Sequence, residues 1–314
     1  MEDVRVGVIG VGHLGRIHAR IYKELMGAKL VGVVDTFVKS AKEVGVRYDV
    51  PYYTDVDAFL REQAPDALSI AVPTESHFDV AYDMAKRGIH LLVEKPVTTT
   101  VQQASKLLEI AKAMNIVLQV GHVERFNSAV RYVSQQIKND PLYIQVRRQG
   151  PFSNRAVDVG VVLDLMIHDI DIVLSLVRSD IEKISSVGRK VFTKHEDFAV
   201  AQIAFKSGTI ADILASRVSD RMTRQMDIAE IGRYFTINFM AQEVTVFGAR
   251  ESDSEGVIEN IKHPILTKTE PLKKELEHFV NCVRSGSHPL VGIYDGKKAL
   301  EVAVEILRQI NLSK

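Results

Sequence analysis

The stretch "VRVGVIGVGHLGRIHARIYKEL", residues 4–25, restricts what this chain can fold into more than any other. A short apolar run leads straight into three glycines, Gly10, Gly12 and Gly15, and the third already stands inside the periodic pattern of a helix. Glycines at that spacing allow a tight turn, close approach of backbone to a ligand and close packing of helix on strand. The rhythm then recurs. "KLVGVVD", "ALSIAV", "IHLLVE" and "IVLQVG" are apolar runs separated by helical patterns such as "VDAFLREQ", "HFDVAYDMAKRG" and "VQQASKLLEIAKAMN". Short continuous apolar runs suit strands buried on both faces of a parallel sheet. Their strict alternation with helices predicts a doubly wound α/β domain of the Rossmann kind over residues 1–122, with ligands at the carboxyl ends of its strands.

After about residue 125 the rhythm changes. A helix over about 124–138 and a long apolar helix in the 160s are followed by extended runs, "YIQVRRQ", "KISSVGRKVF", "FAVAQIAF", "GTIADILASRV" and "YFTINFMAQEVTVF". Strands in succession without helices between them predict an antiparallel α+β domain over 123–314. Two helices, roughly 272–284 and 295–311, close the chain, the last one able to pack back on the first domain.

The 314 residues carry 40 Lys plus Arg against 40 Asp plus Glu, so no net field recruits nucleic acid or an anionic membrane. A single cysteine, Cys282, excludes an internal disulfide framework and any cysteine-cluster metal site. No metal is expected. The segment "VGVVLDLMIHDIDIVLSLV" at 159–177 is apolar enough to suggest a membrane span, but it holds Asp164, Asp169 and Asp171. Each acid at hydrocarbon depth would cost about 2.5 kcal/mol or more, so a buried helix of a soluble protein is expected instead. "MEDVRVGVIG" has no basic region leading into an apolar stretch, which points to a cytoplasmic chain.

The glycine turn, completed by His13 and Leu14, opens a helix whose N-terminus favours phosphate charge. Asp35 ends the second apolar run 20 residues after Gly15, where a carboxylate accepts hydrogen bonds from a ribose diol. Asp35 would repel a 2′-phosphate and no arginine stands beside it in "DTFVK", so the expected cofactor is NAD and not NADP.

Glu94, Lys95 and Pro96 follow an apolar run and so stand at the carboxyl edge of the sheet, where a nicotinamide would lie. Proline biases the residue before it toward extended geometry. A lysine there could steady the alkoxide that develops as a hydroxyl is oxidised. The plainer reading is a solvated turn lysine paired with Glu94. In the 160s helix, Asp164, His168 and Asp171 share one face at helical spacing and form a polar stripe on an apolar cylinder. A carboxylate one turn from an imidazole can orient it and stabilise its cation, as a general base requires. Asp169 lies off that stripe and reads as structural.

These residues together resemble the Gfo/Idh/MocA family of oxidoreductases. The resemblance runs through "GVIGVGHLGRIHA", "VPTESH", "EKP", "GHVERFNSAV", the D-x-x-x-H-D-I-D helix and "HPLVGIYDGKKALEVAVEIL". It implies an N-terminal Rossmann domain, a C-terminal α+β domain with an open, mostly antiparallel sheet, and an active site between them. It also implies oxidation of a sugar or cyclitol hydroxyl with NAD or NADP and no metal, and assembly as a homo-oligomer through the C-terminal sheet. Carried onto this chain, the catalytic residues are Lys95, Asp164 and His168. Pro73, Thr74, His77 and Glu94 join the glycine turn as cofactor-binding residues. Two positions depart from the family pattern. Val161 stands where a second glycine often follows Gly160, and Val72-Pro73-Thr74 replaces Thr-Pro-Asn.

Within the family, "GHVERFNSAV" and "DVGVVLDLMIHDIDIV" resemble the members that oxidise the 3-hydroxyl of UDP-N-acetylglucosamine, which supply amino-sugar precursors of lipid A. A nucleotide-sugar needs cations for its pyrophosphate, and Arg125, Arg147, Arg148 and Arg155 are the candidates, Arg125 and Arg155 first. Two other readings stay open: a dehydrogenase of a free sugar or inositol, which needs no phosphate clamp, and a non-enzymatic NAD-binding sensor. A sensor has no reason to keep Lys95, Asp164 and His168 together.

Overall fold

The structure, a computed structural model, describes residues 2–153, 159–249, 258–263 and 268–312. Its contacts divide the chain into two compact units, Met1–His122 with Leu272–Lys297 and Val123–Pro271 with Lys298–Lys314.

In the first unit the apolar runs become parallel strands: β1 (Val4–Ile9), β2 (Ala28–Val34), β3 (Tyr52–Tyr53), β4 (Ala67–Ile70), β5 (His90–Glu94) and β6 (Leu118–Gly121). Their order is β3-β2-β1-β4-β5-β6. Every residue of β4 and β6 is buried, which is why these strands show no polar alternation. The order reverses between β1 and β4, and the crevice outside their carboxyl ends is where such sheets take ligands. Around the sheet pack α1 (His13–Glu24), α2 (Val38–Tyr48), α3 (Val56–Gln63), α4 (Thr74–Lys86) and α5 (Val101–Ala113). Local chemistry fixes their ends. Thr100 and Gln103 form a capping box at the start of α5, and Gly88, at φ +76°, follows the end of α4.

The second unit starts with a 3₁₀ turn, Val123–Phe126, and α6 (Ser128–Gln136). The single helix expected over 124–138 is thus broken at Asn127, whose side chain accepts from the Ala129 amide at 3.1 Å and starts a new helix. Then come β7 (Tyr143–Gln149), a π-helical turn (Val162–Met166) running into α7 (Ile167–Leu176), and β8 (Ile181–Arg189), β9 (Phe198–Phe205), β10 (Ile210–Ser216), β11 (Thr223–Glu230), β12 (Arg233–Asn238), β13 (Glu243–Ala249) and β14 (Ile258–His263). The sheet order is β14-β13-β12-β11-β7-β10-β9-β8, antiparallel except where β7 meets β10. Burial alternates along β7, with Ile144, Val146 and Arg148 facing the core and Tyr143, Gln145, Arg147 and Gln149 facing out. Ile144, Val146, Ile170, Ile203, Ile213 and Ile228 belong to one apolar cluster, closed by Ala299, Ala303 and Ile306.

The chain ends with α8 (Pro271–Ser285) and α9 (Ile293–Leu312). The units part at 122/123, and α8 with the residues up to Lys297 belongs to the first of them, where the sequence reading places it in 123–314. Leu276, Phe279, Val280 and Cys282 are buried in the same cluster as Val6, Ile21 and Tyr22. Fully buried Leu276 and Phe279 contribute about 1.5–3 kcal/mol each through removal from water. Among the described residues no helix is long and apolar enough to cross a membrane.

Candidate functional site

The turn between β1 and α1 has the geometry a dinucleotide needs. Gly10 sits at φ +84°, and a Cβ there would lie 2.7 Å from the backbone of Ala71 and Val72. A Cβ on Gly15 would strike the Gly10 carbonyl oxygen, so helix and turn touch without side chains. A Cβ on Gly12, by contrast, would meet nothing within 4 Å, and no side chain caps α1 there. His13 and Leu14 are exposed beside it. The first-turn amides of α1 are therefore open to a pyrophosphate. Asp35, just beyond β2, is held by the Val11 amide on Oδ2 at 2.8 Å and the Phe37 amide on Oδ1 at 2.9 Å. An ionised carboxylate keeps further acceptor sites after two such bonds, and these fit a ribose diol. Arg16 feels the negative charge of Asp35 only after that of Glu43. It is committed to Glu43 at 2.8 and 3.0 Å, leaving a 2′-phosphate no partner from it.

At the carboxyl end of β5, residues 91–98 are all buried except Lys95, which is partly exposed. The Lys95–Pro96 bond is cis. Glu94 points inward, 7 % exposed, with Oε1 3.1 Å from His18 Nε2 and Oε2 accepting the Lys95 amide at 3.3 Å. Burial opposes ionisation of Glu94, but the hydrogen bond from His18 and the positive charge of Lys95 outweigh it and hold the carboxyl below its usual range. Glu94 thus supports the lysine from within rather than presenting its carboxylate to a ligand. His77 likewise turns inward. Its ring is 1 % exposed, with Nδ1 2.8 Å from the Pro96 carbonyl and Nε2 2.9 Å from the Val72 carbonyl. Burial lowers its pKa, the two carbonyls opposing. The imidazole joins the loop after β4, which ends in Pro73 at the start of α4, to the loop after β5, and both its ring nitrogens face backbone carbonyls.

In the second unit the polar stripe is built on an irregular helix. Asp164 lies within the π-helical turn and His168 in the first turn of α7. Four residues correspond to about 40° on an α-helix and fall just short of one turn of the wider π form, so the two side chains share a face in either geometry. Both are partly exposed, whereas Ile167, Asp169, Ile170 and Asp171 are buried. Asp171 takes Arg125 Nη1 at 3.4 Å. The helix start is fixed from outside: Glu196 accepts the Val161 amide on its carbonyl at 3.0 Å and the Val162 amide on Oε1 at 3.2 Å. A Cβ on Gly160 would collide with that carboxylate, while Val161 is buried in the core in place of the family's second glycine.

The arginines separate by partner. Arg148, 3 % exposed, meets Asp169 through Nε at 2.9 and 3.1 Å and Nη2 at 2.7 Å, and Glu124 through Nη1 at 2.9 Å. It is structural, as is Asp169. Arg147 faces out and pairs with Asp227 at 3.1 Å. Arg155 lies outside the described residues. Arg224 was not among the expected residues. It stands opposite Arg148 across β11 and β7, hence on the inward face, and is partly exposed. Burial and then the like charge of Arg148 work against its cation, while Glu124, Asp169 and Asp164 support it. Nothing in "TRQMDIAE" marks it, because its setting depends on Arg148, 76 residues earlier. Beside the helix start a cavity of about 650 Å³, within the size range of small-molecule sites, is lined by Gly160, Leu163, Arg189, Lys190, Lys194 and Glu196 among others.

Comparison with known proteins agrees with this geometry. Residues 4–122 match the Gfo/Idh/MocA family described as an oxidoreductase family with an NAD-binding Rossmann fold, and residues 119–250 match its C-terminal domain. The chain is 33% identical over 307 residues to UDP-N-acetylglucosamine 3-dehydrogenase from Acidithiobacillus ferrooxidans, covering 98% of this chain and 97% of that protein. It is 31% identical over 321 residues to scyllo-inositol 2-dehydrogenase (NAD(+)) from Bacillus subtilis, covering 96% and 93%. The solved structure of the Acidithiobacillus enzyme superposes with a TM-score of 0.92 over 99% of this chain and 98% of that one. A levoglucosan dehydrogenase in complex with NADH shares the fold at 17% identity, with a TM-score of 0.87 over 99% and 97%.

Proposed function

The chain belongs to the Gfo/Idh/MocA oxidoreductase family, and from that premise we propose that it oxidises the 3-hydroxyl of UDP-N-acetylglucosamine with NAD. The observation that carries the substrate is the 33% identity to the Acidithiobacillus enzyme across nearly the whole of both chains. The observation that carries the chemistry is the exposure pattern. Lys95 is partly exposed among the otherwise buried residues 91–98, and Asp164 and His168 are partly exposed on a helix whose Ile167, Asp169, Ile170 and Asp171 are buried.

An alcohol cannot be oxidised by hydride loss without also losing its hydroxyl proton, so a base and an oxyanion donor are both required. His168 takes the proton, Asp164 orients the imidazole and steadies its cation, and Lys95 stabilises the developing oxyanion. The nicotinamide, when bound, takes up the hydride. Gly10, Gly12, His13, Leu14 and Gly15 hold the cofactor phosphates, Asp35 holds the ribose diol, and Pro73 and Thr74 border the nicotinamide. Arg148 is buried against Asp169 and Glu124 and Arg147 lies on the outward face of β7, so a substrate pyrophosphate falls to Arg125, whose contact with Asp171 uses Nη1, to Arg224 and to the cations at the cavity beside Gly160. Residues 1–122 thus bind cofactor and 123–271 substrate. The protein works in the cytoplasm in making lipid A precursors, as a homo-oligomer joined through the outward face of the eight-stranded sheet.

A second reading, inositol oxidation, is favoured by the 31% identity to the Bacillus enzyme. NADH production with UDP-N-acetylglucosamine, scyllo-inositol and myo-inositol separates the two. The nucleotide-sugar should be oxidised, and UDP alone should inhibit competitively, less so at high ionic strength. Turnover with an inositol and no inhibition by millimolar UDP would replace the first reading by the second.

A further inference from the structure

We propose that two buried histidines, His18 on α1 and His77 on α4, grip the residues on either side of Lys95 and so set the direction of its side chain. The inference rests on Lys95 acting at the substrate oxygen, and it assigns His18 and His77 the part of positioning residues.

A lysine side chain is a flexible four-carbon stem with large rotamer entropy, so it acts as an aimed donor only if its backbone is fixed. Here it is fixed from both sides. On one side His18, fully buried, stands one turn into α1 from Gly15, with Nδ1 2.7 Å from Ser69 Oγ and Nε2 3.1 Å from Glu94 Oε1. Ser69 in turn faces the buried Tyr22 phenol. His18 Nδ1 is thus engaged by Ser69, and its Nε2 faces the Glu94 carboxylate. Glu94 passes the constraint on by accepting the Lys95 amide at 3.3 Å. β6 makes room for this carboxylate, since a Cβ on Gly121 would come within 2.9 Å of Glu94 Oε2. On the other side the His77 ring lies between the Pro96 carbonyl, 2.8 Å from Nδ1, and the Val72 carbonyl, 2.9 Å from Nε2, and in its neutral form donates to one of them. Apolar residues would fill the same interior without the desolvation these polar groups incur. What they could not supply is direction.

The arrangement also places two tasks on one rigid element. The N-terminus of α1 is the dinucleotide turn, and one turn later the same helix holds the residue beside Lys95. Cofactor phosphate and lysine are thereby set relative to a common helix and strand pair.

The test uses the full chain with NAD and UDP-N-acetylglucosamine, and the variants His18→Leu, His18→Gln, His77→Leu and His77→Gln, each alone and with Lys95→Ala. Both leucine variants should lose about 10- to 100-fold in kcat, the scale of a misplaced catalytic group, with the NAD dissociation constant near wild type. The glutamines, which keep an amide donor, should recover most of it and serve if the leucine variants do not fold. With Lys95→Ala already present, none should cause a further loss, because the histidines act through the lysine. Full multiplication of the losses, or wild-type kcat in folded His18→Leu and His77→Leu, overturns the proposal.

A second readout needs no turnover. After reductive ¹³C-methylation, the Lys95 resonance, identified by its absence from Lys95→Ala, should move in the histidine variants. An unmoved resonance also overturns the proposal. If Lys95→Ala leaves turnover intact, the reading of Lys95 as a catalytic residue falls instead, and the resonance still decides whether the histidines position it.

Discussion

Replacing Arg148 by Met removes one cation and leaves two carboxylates behind. Asp169 is 0 % exposed and Arg148 meets it at 2.7, 2.9 and 3.1 Å, so in the variant the Asp169 carboxylate loses its charge partner inside the apolar core of the second unit. Breaking such a pair from one side costs about 3–5 kcal/mol. A second estimate comes from proton chemistry. The stranded carboxyl can escape by taking a proton, which at pH 7 costs about 1.4 kcal/mol for each of the roughly three pH units above its ordinary pKa, or about 4 kcal/mol. The two agree, and the second adds a pH dependence: the penalty should shrink by about 1.4 kcal/mol per unit as pH falls from 7 toward 5. Urea unfolding followed by circular dichroism at pH 7, 6 and 5 measures it. Arg148→Met/Asp169→Leu, which removes both charges, should recover most of the loss at pH 7. A penalty below about 1 kcal/mol at every pH would mean that water reaches the pair, and the structural role given to Arg148 would be wrong.

Asp35→Ala should weaken NAD by about 10- to 100-fold, the value of one or two hydrogen bonds to a charged group, and erode the preference over NADP. Fluorescence titration of both cofactors decides it, and tighter NADP binding by the unaltered protein would refute the assignment. Asp197 is buried and accepts the amides of Val191, Phe192 and Thr193 on Oδ2 at 2.6–2.9 Å, bonds that outweigh burial and hold its pKa at about 2. Its folded pKa lies below the unfolded value of about 3.9, so its stabilisation is present above pH 4 and lost as pH falls from about 4 to 2. The difference in unfolding free energy between wild type and Asp197→Asn should narrow across that window, and a constant difference would exclude this role. Gly160→Ala should displace the Glu196 carboxylate from the Val162 amide and cost about 1–2 kcal/mol, the value of a helix cap. Thermal unfolding measures it, and an unchanged midpoint would show the cap to be dispensable.

Most of the fold was legible because burial leaves a pattern in the strands themselves. β1, β2, β4, β5 and β6 read as apolar runs since both their faces are covered. β11 did not, because "TRQMDIAE" places Arg224 on the inward face and Gln225 and Asp227 within a polar network that includes Arg147 and Thr236. "YFTINFMAQEVTVF" reads as one extended run, yet Gln242 at φ 53° marks the turn that makes it two antiparallel strands. β3 is two residues long and leaves no period to detect. The amphipathic stripe of α8 says that Leu276, Phe279 and Val280 must be covered. Only the fold says that the cover is the first unit's core.

The site divides along a similar line, but by sequence distance. Gly10 through Gly15, Lys95, and Asp164 with His168 are each recognisable from neighbours a few residues away, which is the range over which turn chemistry and helical spacing operate. The residues that hold them are not. His18 meets Glu94 across the sheet, Glu196 meets Val162 from 34 residues away, and Arg148 meets Asp169 from 21. A sequence shows a charged side chain without its partner, so Arg148 reads as a cation free for phosphate and Glu94 as a cofactor ligand until their partners are in view. Burial reverses both readings for the same reason. A charge inside a protein persists only where another group has already answered it, and a group buried together with its partner is out of a ligand's reach. Lys95, Asp164, His168 and Arg125, by contrast, are each partly exposed.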